Sequence, residues 1–314
     1  MQSNIVVTSG KYLDIDAYAS CIAYKELLNS LGISAFAVST AQTNMSVPNL
    51  IKQIPISFDD YIPTRSDKFI ILDLSDPVFF DKLVRYEDVI EVIDHHTGLE
   101  EFWQTKPNVK TQIERIGSVA TIVYEKFVVE NRTDVLTPDL CKLLVAAIVD
   151  NTLNLMAKIT TNRDKAAYNA LYKIANLSSD WTNVYLEQCE KAILENLESS
   201  VKQDTKTLSF KNLPKQLAQL AIYNHEKVLS QLPLIKQLFQ DSDDWALNII
   251  SLKEGTSHII TNRLTSKDKL TKLFAREFKG DVLLLDSFML RKEIMAKAQC
   301  DSCTEEICTS SLQR

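Results

Sequence analysis

The sequence predicts an α/β fold, with a doubly wound, mainly parallel sheet in an N-terminal domain and a smaller mixed-sheet α/β domain after it. Three observations predict this class. Short apolar runs alternate with helical patterns along the first half, which is typical of parallel sheets covered by helices. Acidic residues and histidines follow three of those runs. The chain has 314 residues, which is long for one hydrophobic core, so we expect two domains.

The first half is predicted to alternate between strands and helices. Gly32 is typical of a helix end, Ser118 of a helix N-cap, and Pro138 of the first position in a helix. The apolar run at 143–149 predicts a helix that is buried on most faces. The predicted strands are 4–9, 33–38, 69–72 and 89–93, and the predicted helices are 16–31, 119–129 and 137–150.

The second half begins with a charged, amphipathic pattern over 180–206, which predicts a helical connector. We therefore place the domains at 1–190 and 206–314, with a helical linker at 191–205. The tail from Ala298 is polar and is predicted to be mobile. Beyond the linker, the predicted strands are 220–223, 245–252, 258–264 and 282–285, and the predicted helix is 267–278.

Composition limits the classes of partner. A formal net charge of −6 argues against nonspecific binding to nucleic acid or to a membrane surface. No apolar run approaches the roughly 18 residues that span a bilayer, and the start lacks the positive region of a signal peptide. We therefore expect a cytoplasmic protein without a nucleic-acid polymer or a membrane as partner. The oligomeric state, monomer or homodimer, stays open.

The six cysteines divide into two groups. Three fall within helical patterns and are predicted to be small, buried, free thiols: Cys21, Cys141 and Cys189. The other three lie in the polar tail: Cys300, Cys303 and Cys308. No fourth ligand lies near this second group in sequence, so a structural or incidental role is favoured over a zinc site.

The strongest functional signal is Asp94-His95-His96, which follows the apolar run at 89–93. Asp14 and Asp16 follow the first predicted strand, and Asp73 follows the run at 68–72. In a parallel sheet these residues meet at one edge, where open α/β sheets bind ligands. Carboxylates mixed with imidazoles suit Mn²⁺, Fe²⁺, Co²⁺ or Zn²⁺. Any one Asp is more simply a strand-end residue or a helix N-cap, but the whole set with the paired histidines favours a metal site.

Ordered motifs along the chain resemble a known family. The segments are 8–16, which contains a D-x-D core, 72–76, 94–96, 114–121, 147–152, 204–206 and 290–293. Together they resemble the DHH phosphoesterase superfamily, in the branch with a DHHA2-type C-terminal domain. That branch includes manganese-dependent (family II) inorganic pyrophosphatases, exopolyphosphatases and Prune-type phosphohydrolases. The D-x-D core alone is a weak signal, whereas the ordered set is a strong one.

The resemblance implies a DHH metal-binding catalytic domain at 1–190 and a DHHA2-like substrate-binding domain at 206–314. It implies an enzyme that hydrolyses phosphoanhydride bonds of pyrophosphate or short-chain polyphosphate with two divalent ions, Mn²⁺ first and Co²⁺ or Mg²⁺ as alternatives. Asp73 would bridge the ions, and His96 would face the substrate or the leaving oxygen. The implied metal ligands are Asp14, Asp16, Asp73, His95 and Asp150, and the implied phosphate-binding residues are Lys206, Arg291 and Lys292.

Two positions leave alternatives open. Asn151 could be aligned as the ligand instead of Asp150, although a carboxylate offsets the charge of a divalent cation and an amide does not. Family II pyrophosphatases carry a metal-binding His four residues before the first Asp, where this chain has Gly10. Exopolyphosphatase and Prune-type members also lack that His, so Gly10 favours them. The alternative functions are a phosphodiesterase acting on small nucleotides and a catalytically weakened regulatory protein of the same fold.

Overall fold

The structure is a computed structural model that describes residues 4–299. The chain divides into two compact units, Met1–Cys189 and Glu190–Arg314. Most of the predicted mobile tail, with Cys300, Cys303 and Cys308, lies outside the described residues. Ala298, where that tail was predicted to begin, is buried, and its carbonyl accepts a hydrogen bond from Asn212.

The first unit is built on a five-stranded sheet in which every neighbouring pair of strands is parallel. The strands are β1 (Ile5–Thr8), β2 (Tyr12–Leu13), β3 (Ala35–Ala37), β4 (Gln42–Thr43), β5 (Lys68–Leu72), β6 (Val89–Asp94) and β7 (Lys110–Ile113). The helices are α1 (Ile15–Ser30), α2 (Asn49–Lys52), α3 (Glu100–Gln104), α4 (Val119–Val129), α5 (Pro138–Asn151) and α6 (Asn162–Ile174). The order in the main sheet is β3-β1-β5-β6-β7, and β2 pairs only with β4.

The parallel order brings the carboxyl ends of β1, β5 and β6 to one edge of the sheet. Helix α1 packs against β1, β3 and β5, and it also contacts α4 and α5. The run at 143–149 within α5 is fully buried, as its apolar sequence predicted. A separate cluster of buried side chains, which includes Phe69 and Trp103, lies against the sheet. The predicted parallel α/β class is therefore confirmed for this unit.

The second unit contains a mixed five-stranded sheet in the order β12-β11-β10-β9-β8. Only β9 and β10 pair in parallel, and the other neighbours are antiparallel. The strands are β8 (Lys206–Thr207), β9 (Gln216–Ile222), β10 (Trp245–Ser251), β11 (Thr256–Ile260) and β12 (Val282–Leu285). The helices are α7 (Trp181–Glu195), which contains the boundary between the units, α8 (Leu197–Asp204), α9 (Glu226–Leu229), α10 (Leu232–Leu238) and α11 (Leu264–Phe274).

Both faces of the second sheet are buried, because alternate residues of β10 enter two different apolar clusters. Trp245, Leu247 and Ile249 pack with residues of α8, α9 and α10. Ala246 packs with residues of α11 and with Ile294, which belongs to the helical stretch 291–299. The predicted smaller mixed-sheet α/β arrangement is therefore confirmed.

Several elements differ from the sequence expectation, among them the connector, β7 and α6. The connector predicted as one helix over 180–206 is two helices, α7 and α8, separated at Asn196. Strand β7 and helix α6 were not predicted, because β7 is an edge strand with two exposed residues and α6 buries only three residues. Within residues 4–299, none of the helices combines the length and apolar character that crossing a membrane requires.

Candidate metal centre

Asp73, His95 and His96 lie together at the carboxyl edge of the parallel sheet. Their ligand atoms are all within 4.8 Å of one another. Asp73 directly follows β5 and has a left-handed backbone with φ of 60°, which is uncommon for a residue other than glycine. Its backbone N–H donates to Ile93 O in β6 at 2.9 Å. Strained backbone of this kind concentrates at functional sites, so the geometry supports the sequence prediction.

The ring of His95 is oriented by the loop that precedes α4. Its Nδ1 lies 3.1 Å from Ile116 O, and a carbonyl can only accept a hydrogen bond, so Nδ1 carries the proton. In the neutral tautomer that carries this proton, Nε2 presents a lone pair 3.4 Å from Asp73 Oδ1. Among residues 4–299, Asp73 Oδ1 is buried and accepts no hydrogen bond. Two hydrogen-bond acceptors that face each other in this way fit a bound cation. In metal sites the ligating His typically donates its other ring N–H to a carbonyl or carboxylate, as His95 does to Ile116 O.

The carboxylates around this pair interact strongly. Burial raises the pKa of Asp73 well above its ordinary value, and Asp14, Asp16 and Asp94 raise it further. Burial, and next the charge of Asp14, raises the pKa of Asp150 to about 7. These shifts arise because several carboxylates share a poorly solvated space without a compensating cation. A divalent cation would remove this repulsion, so the donor set fits a metal centre.

Asp14 and Asp16 also have structural roles. Asp14 is the N-cap of α1 and accepts a hydrogen bond from Ala17 N at 2.9 Å. Asp16 is fully buried, and burial raises its pKa. Its two oxygens accept hydrogen bonds from five donors: Ser20 Oγ, Ser118 Oγ, Val119 N, Ala120 N and Asn151 Nδ2. These contacts give both residues a structural role at a helix N-terminus, and their role as metal ligands stays a prediction.

The contacts of Asp150 and Asn151 bear on the alternative that the sequence left open. The amide of Asn151 donates to Asp16 Oδ2 at 2.5 Å, which makes it a support for another candidate ligand. Asp150 accepts a hydrogen bond from Tyr185 Oη at 3.3 Å and interacts electrostatically with Asp14. These contacts favour Asp150 over Asn151 as the ligand. Tyr185 was not identified from the sequence, where it appears only as one apolar position of a connector helix.

His96 is held by Asp94, the other part of its motif. Asp94 is buried, and its Oδ1 accepts hydrogen bonds from His95 N at 2.7 Å and from His96 Nδ1 at 2.9 Å. The hydrogen bond to Asp94 raises the pKa of His96. Burial opposes ionisation of Asp94, yet its hydrogen bond and ion pair with His96 lower the pKa of Asp94. The His96 side chain is 63% exposed, so its Nε2 is available to a ligand.

Gly10 lies where the sequence analysis noted a missing nitrogen ligand. Its backbone bridges to Phe80, and a Cβ at this position would lie 3.0 Å from Phe79 O and 2.9 Å from a Leu74 methyl group. A histidine at position 10 would therefore displace the backbone near Phe79. The glycine has a packing reason in this chain, in addition to any effect on metal affinity.

In the second unit, the three predicted phosphate-binding residues line one pocket of about 440 Å³. Lys206 and Lys292 are exposed there. Arg291 is mostly buried, and its guanidinium binds Asp204 through both oxygens, with Nη1–Oδ2 at 2.7 Å and Nη2–Oδ1 at 3.1 Å. The planar fork that suits a phosphate is therefore occupied by a carboxylate. The lysines supply the exposed positive charge of this pocket.

Comparisons with other proteins show similarity in sequence and in fold. Residues 4–148 match the DHH family, N-terminal domain. A manganese-dependent inorganic pyrophosphatase of Methanothrix thermoacetophila is 21% identical over 312 residues, covering 93% of this chain and 96% of the relative. A probable manganese-dependent inorganic pyrophosphatase of Lactobacillus acidophilus is 23% identical over 292 residues, covering 89% and 92% of the two chains.

Two crystal structures share the fold. A Methanococcus jannaschii protein named for the family II inorganic pyrophosphatases has a TM-score of 0.65 at 22% identity, covering 94% of this chain and 98% of that one. An exopolyphosphatase-related protein of Bacteroides fragilis has a TM-score of 0.52 at 13% identity, covering 95% and 91%. The matched family region contains four of the five predicted metal ligands and His96. Residues 4–148 of the chain are therefore similar to the N-terminal domain of the DHH family.

Proposed function

We propose that this chain is a divalent-metal-dependent hydrolase that cleaves phosphoanhydride bonds in inorganic pyrophosphate or short-chain polyphosphate. The observation that carries the proposal is the pair of facing acceptors, Asp73 Oδ1 and His95 Nε2, within a cluster of buried carboxylates. The names of the similar pyrophosphatases support both the substrate class and Mn²⁺ as the metal, with Co²⁺ or Mg²⁺ as alternatives. As the sequence predicted, we assign the protein to the cytoplasm.

In this proposal the five predicted ligands, Asp14, Asp16, Asp73, His95 and Asp150, would hold two divalent ions, with Asp73 as the ligand common to both. Bound ions of this kind supply a nucleophilic water at neutral pH and stabilise negative charge on phosphoryl oxygens. The protein contributes orientation. Ile116 fixes the ring of His95, and the N-terminus of α4 fixes Asp16.

His96 is assigned to the substrate. Asp94 accepts a hydrogen bond from its Nδ1 and raises the pKa of the ring, which favours the imidazolium form; in that form Nε2 also carries a proton, which can be donated to the leaving phosphate oxygen. In the second unit, Lys206 and Lys292 bind phosphate oxygens as point charges. Arg291, paired with Asp204, shapes the pocket that carries these lysines.

The test is phosphate release from pyrophosphate, tripolyphosphate and a dinucleotide, each with Mn²⁺, Co²⁺ and Mg²⁺. We expect release from one or both of the first two substrates and loss of at least a hundredfold in kcat for Asp73→Asn. The matched control is Asp60→Asn, an exposed carboxylate outside the site that should leave kcat unchanged. Cleavage of the dinucleotide alone would contradict the proposal in favour of a phosphodiesterase. Absence of all three activities in folded, metal-loaded protein would favour a regulatory role.

A further inference from the structure

The other two histidines of the chain form a separate cluster in the second unit. His225 follows β9 and precedes α9, Glu254 lies in the turn between β10 and β11, and His258 lies within β11. His225 Nδ1 is 3.5 Å from Glu254 Oε2, and His258 Nε2 is 3.9 Å from the same oxygen. The three ligand atoms all lie within 4.8 Å of one another. Two separate parts of the chain, the β9–α9 junction and the β10–β11 hairpin, thus bring two imidazoles and a carboxylate together.

The imidazole rings are buried and stacked. Their centroids are 3.7 Å apart with an interplanar angle of 14°, and the two side chains are only 10% and 9% exposed. Hydroxyl groups lie beside the nitrogens, with His225 Nδ1 3.3 Å from Ser251 Oγ and His258 Nε2 3.1 Å from Thr256 Oγ1. Two aromatic side chains without ring nitrogens would fill this buried, stacked position equally well. Both ring nitrogens, His225 Nδ1 and His258 Nε2, therefore face the Glu254 carboxylate as well as a hydroxyl group.

Protonation and access suit a metal ligand. Burial lowers the pKa of His258, and the neighbouring His225 lowers it further, although Glu254 opposes the shift. His258 is therefore neutral near neutral pH, which is the form that binds a metal. The Glu254 side chain is 47% exposed, so an ion can reach the cluster from solvent at this residue.

We propose that His225, Glu254 and His258 bind one divalent transition-metal ion, with Zn²⁺ as the representative ion. Ligands at ~2.0–2.2 Å from a tetrahedral ion are separated by roughly 3.3–3.6 Å. The His225–Glu254 separation already has this value, and the His258–Glu254 separation must shorten by a few tenths of an ångström. The parallel rings must also rotate apart so that both lone pairs point at one ion. Two imidazoles with one carboxylate suit Zn²⁺ and its neighbours better than Ca²⁺ or Mg²⁺.

This ion would link the β9–α9 junction to the β10–β11 turn. A ligand that binds only the folded state raises its stability, so the expected role is to stabilise this end of the second sheet. The site belongs to the second unit, and none of its ligands is among those assigned to the Asp73 centre. The inference therefore does not depend on the proposed hydrolase activity.

The test is calorimetric titration of Zn²⁺ into the full-length chain carrying Asp73→Asn and His95→Gln, which removes ligands of the other centre. We expect one equivalent to bind. Adding Glu254→Gln or His225→Gln should weaken the affinity at least tenfold, whereas Glu226→Gln, at an exposed carboxylate beside His225, should leave it unchanged. Because Glu254 is on the surface, its variant retains the fold even if a histidine variant does not.

A second readout is the melting temperature of the same proteins with and without Zn²⁺. Zn²⁺ should raise it in the Asp73→Asn, His95→Gln background and in the Glu226→Gln control, but not after Glu254→Gln is added. The proposal is overturned if the background protein binds no Zn²⁺, or if Glu254→Gln and His225→Gln both leave the affinity unchanged.

Discussion

Gly117, a residue without a functional group, lies beside the backbone that orients His95 in the candidate metal centre. It lies between Ile116, whose carbonyl orients His95, and Ser118, which caps α4. Its N–H donates to Asp164 Oδ2 at 3.1 Å. A Cβ at this position would lie 2.6 Å from a Thr152 methyl group and 2.8 Å from that same Asp164 oxygen. The close packing leaves no room for any side chain.

We therefore predict that Gly117→Ala lowers the free energy of unfolding by about 1–3 kcal/mol, as overpacking commonly does, and also weakens Mn²⁺ binding because the Ile116 carbonyl moves. Urea denaturation and Mn²⁺ calorimetry on the same protein check both effects. The control is Gly280→Ala, whose added Cβ meets nothing within 4 Å but whose φ of 62° is strained. It should lower stability without changing Mn²⁺ affinity. Equal Mn²⁺ affinity in both variants would show that Gly117 only packs.

The pocket lysines and Arg291 are predicted to differ in what they support. Lys292→Ala should raise KM for pyrophosphate several-fold and leave the melting temperature nearly unchanged, because the side chain is exposed. Arg291→Ala should lower the melting temperature as well, since it leaves the Asp204 carboxylate and the Leu217 carbonyl without this donor. Steady-state kinetics and thermal melts of both variants separate the roles. An unchanged melting temperature for Arg291→Ala would mean that the Asp204 pair contributes nothing to folding.

At the residue scale, the sequence predicted which residue types lie at the candidate site better than it predicted their hydrogen-bond partners. Asp73 and His95 could be placed at one sheet edge because strand ends are legible from apolar runs. The contact between His95 and the carbonyl of Ile116 could not be predicted, because every residue has a backbone carbonyl and the sequence does not show which one will accept a hydrogen bond. The pairing of Arg291 with Asp204 could not be predicted for a similar reason, since the two residues are distant in sequence.

At the scale of elements, Asp281 joins two helices to the start of β12. It pairs with Lys236 of α10 and with Lys267 of α11, with Nζ–O distances of 2.5 and 2.7 Å. The hydrogen bond from Lys236, and then that from Lys267, lowers the pKa of Asp281 below its ordinary value of 3.8. A carboxyl whose pKa is lower in the folded state stabilises the fold above its unfolded pKa. That stability is lost as the pH falls through the folded pKa.

Asp281→Asn should therefore lower the free energy of unfolding by about 1 kcal/mol at pH 7, and the difference from wild type should shrink as the pH falls below about 4. Chemical denaturation across that pH range measures it. Glu198→Gln removes an exposed i,i+4 pair with Lys202 and should change stability little at either pH. A constant difference for Asp281→Asn at every pH would rule out the ion pairs as its cause.

Helices and strands could be predicted where burial imposes an apolar pattern on the sequence. They could not be predicted where the element has no such pattern. The fully buried run in α5 could only be an inner helix, whereas β7, with two exposed residues in its sequence Lys-Thr-Gln-Ile, has no apolar alternation. The interruption between α7 and α8 at Asn196 has no Pro or Gly to mark it. Amphipathic character continues across that point, so the pattern favoured one helix.

At the scale of the whole molecule, we expect the carboxylate cluster to make stability depend on metal in a way that a packed core does not. Without a cation, the buried carboxylates that raise the pKa of Asp73 repel one another and oppose folding of the first unit. With Mn²⁺ at a hundred times its Kd, binding to the folded state alone would add about 2.7 kcal/mol per site. Asp73→Asn removes one charge from the cluster and one ligand from the ions.

These two consequences of Asp73→Asn have opposite signs, and together they identify the centre. In the presence of a chelator the variant should melt at a higher temperature than wild type, because one carboxylate charge no longer repels the others. In excess Mn²⁺ it should melt at a lower temperature, because it gains little from the ion. Differential scanning calorimetry of both full-length proteins under both conditions measures this reversal, with Asp60→Asn as the exposed control that should follow wild type throughout. If the variant is less stable than wild type by the same amount with and without Mn²⁺, Asp73 is a structural residue and the ions bind elsewhere.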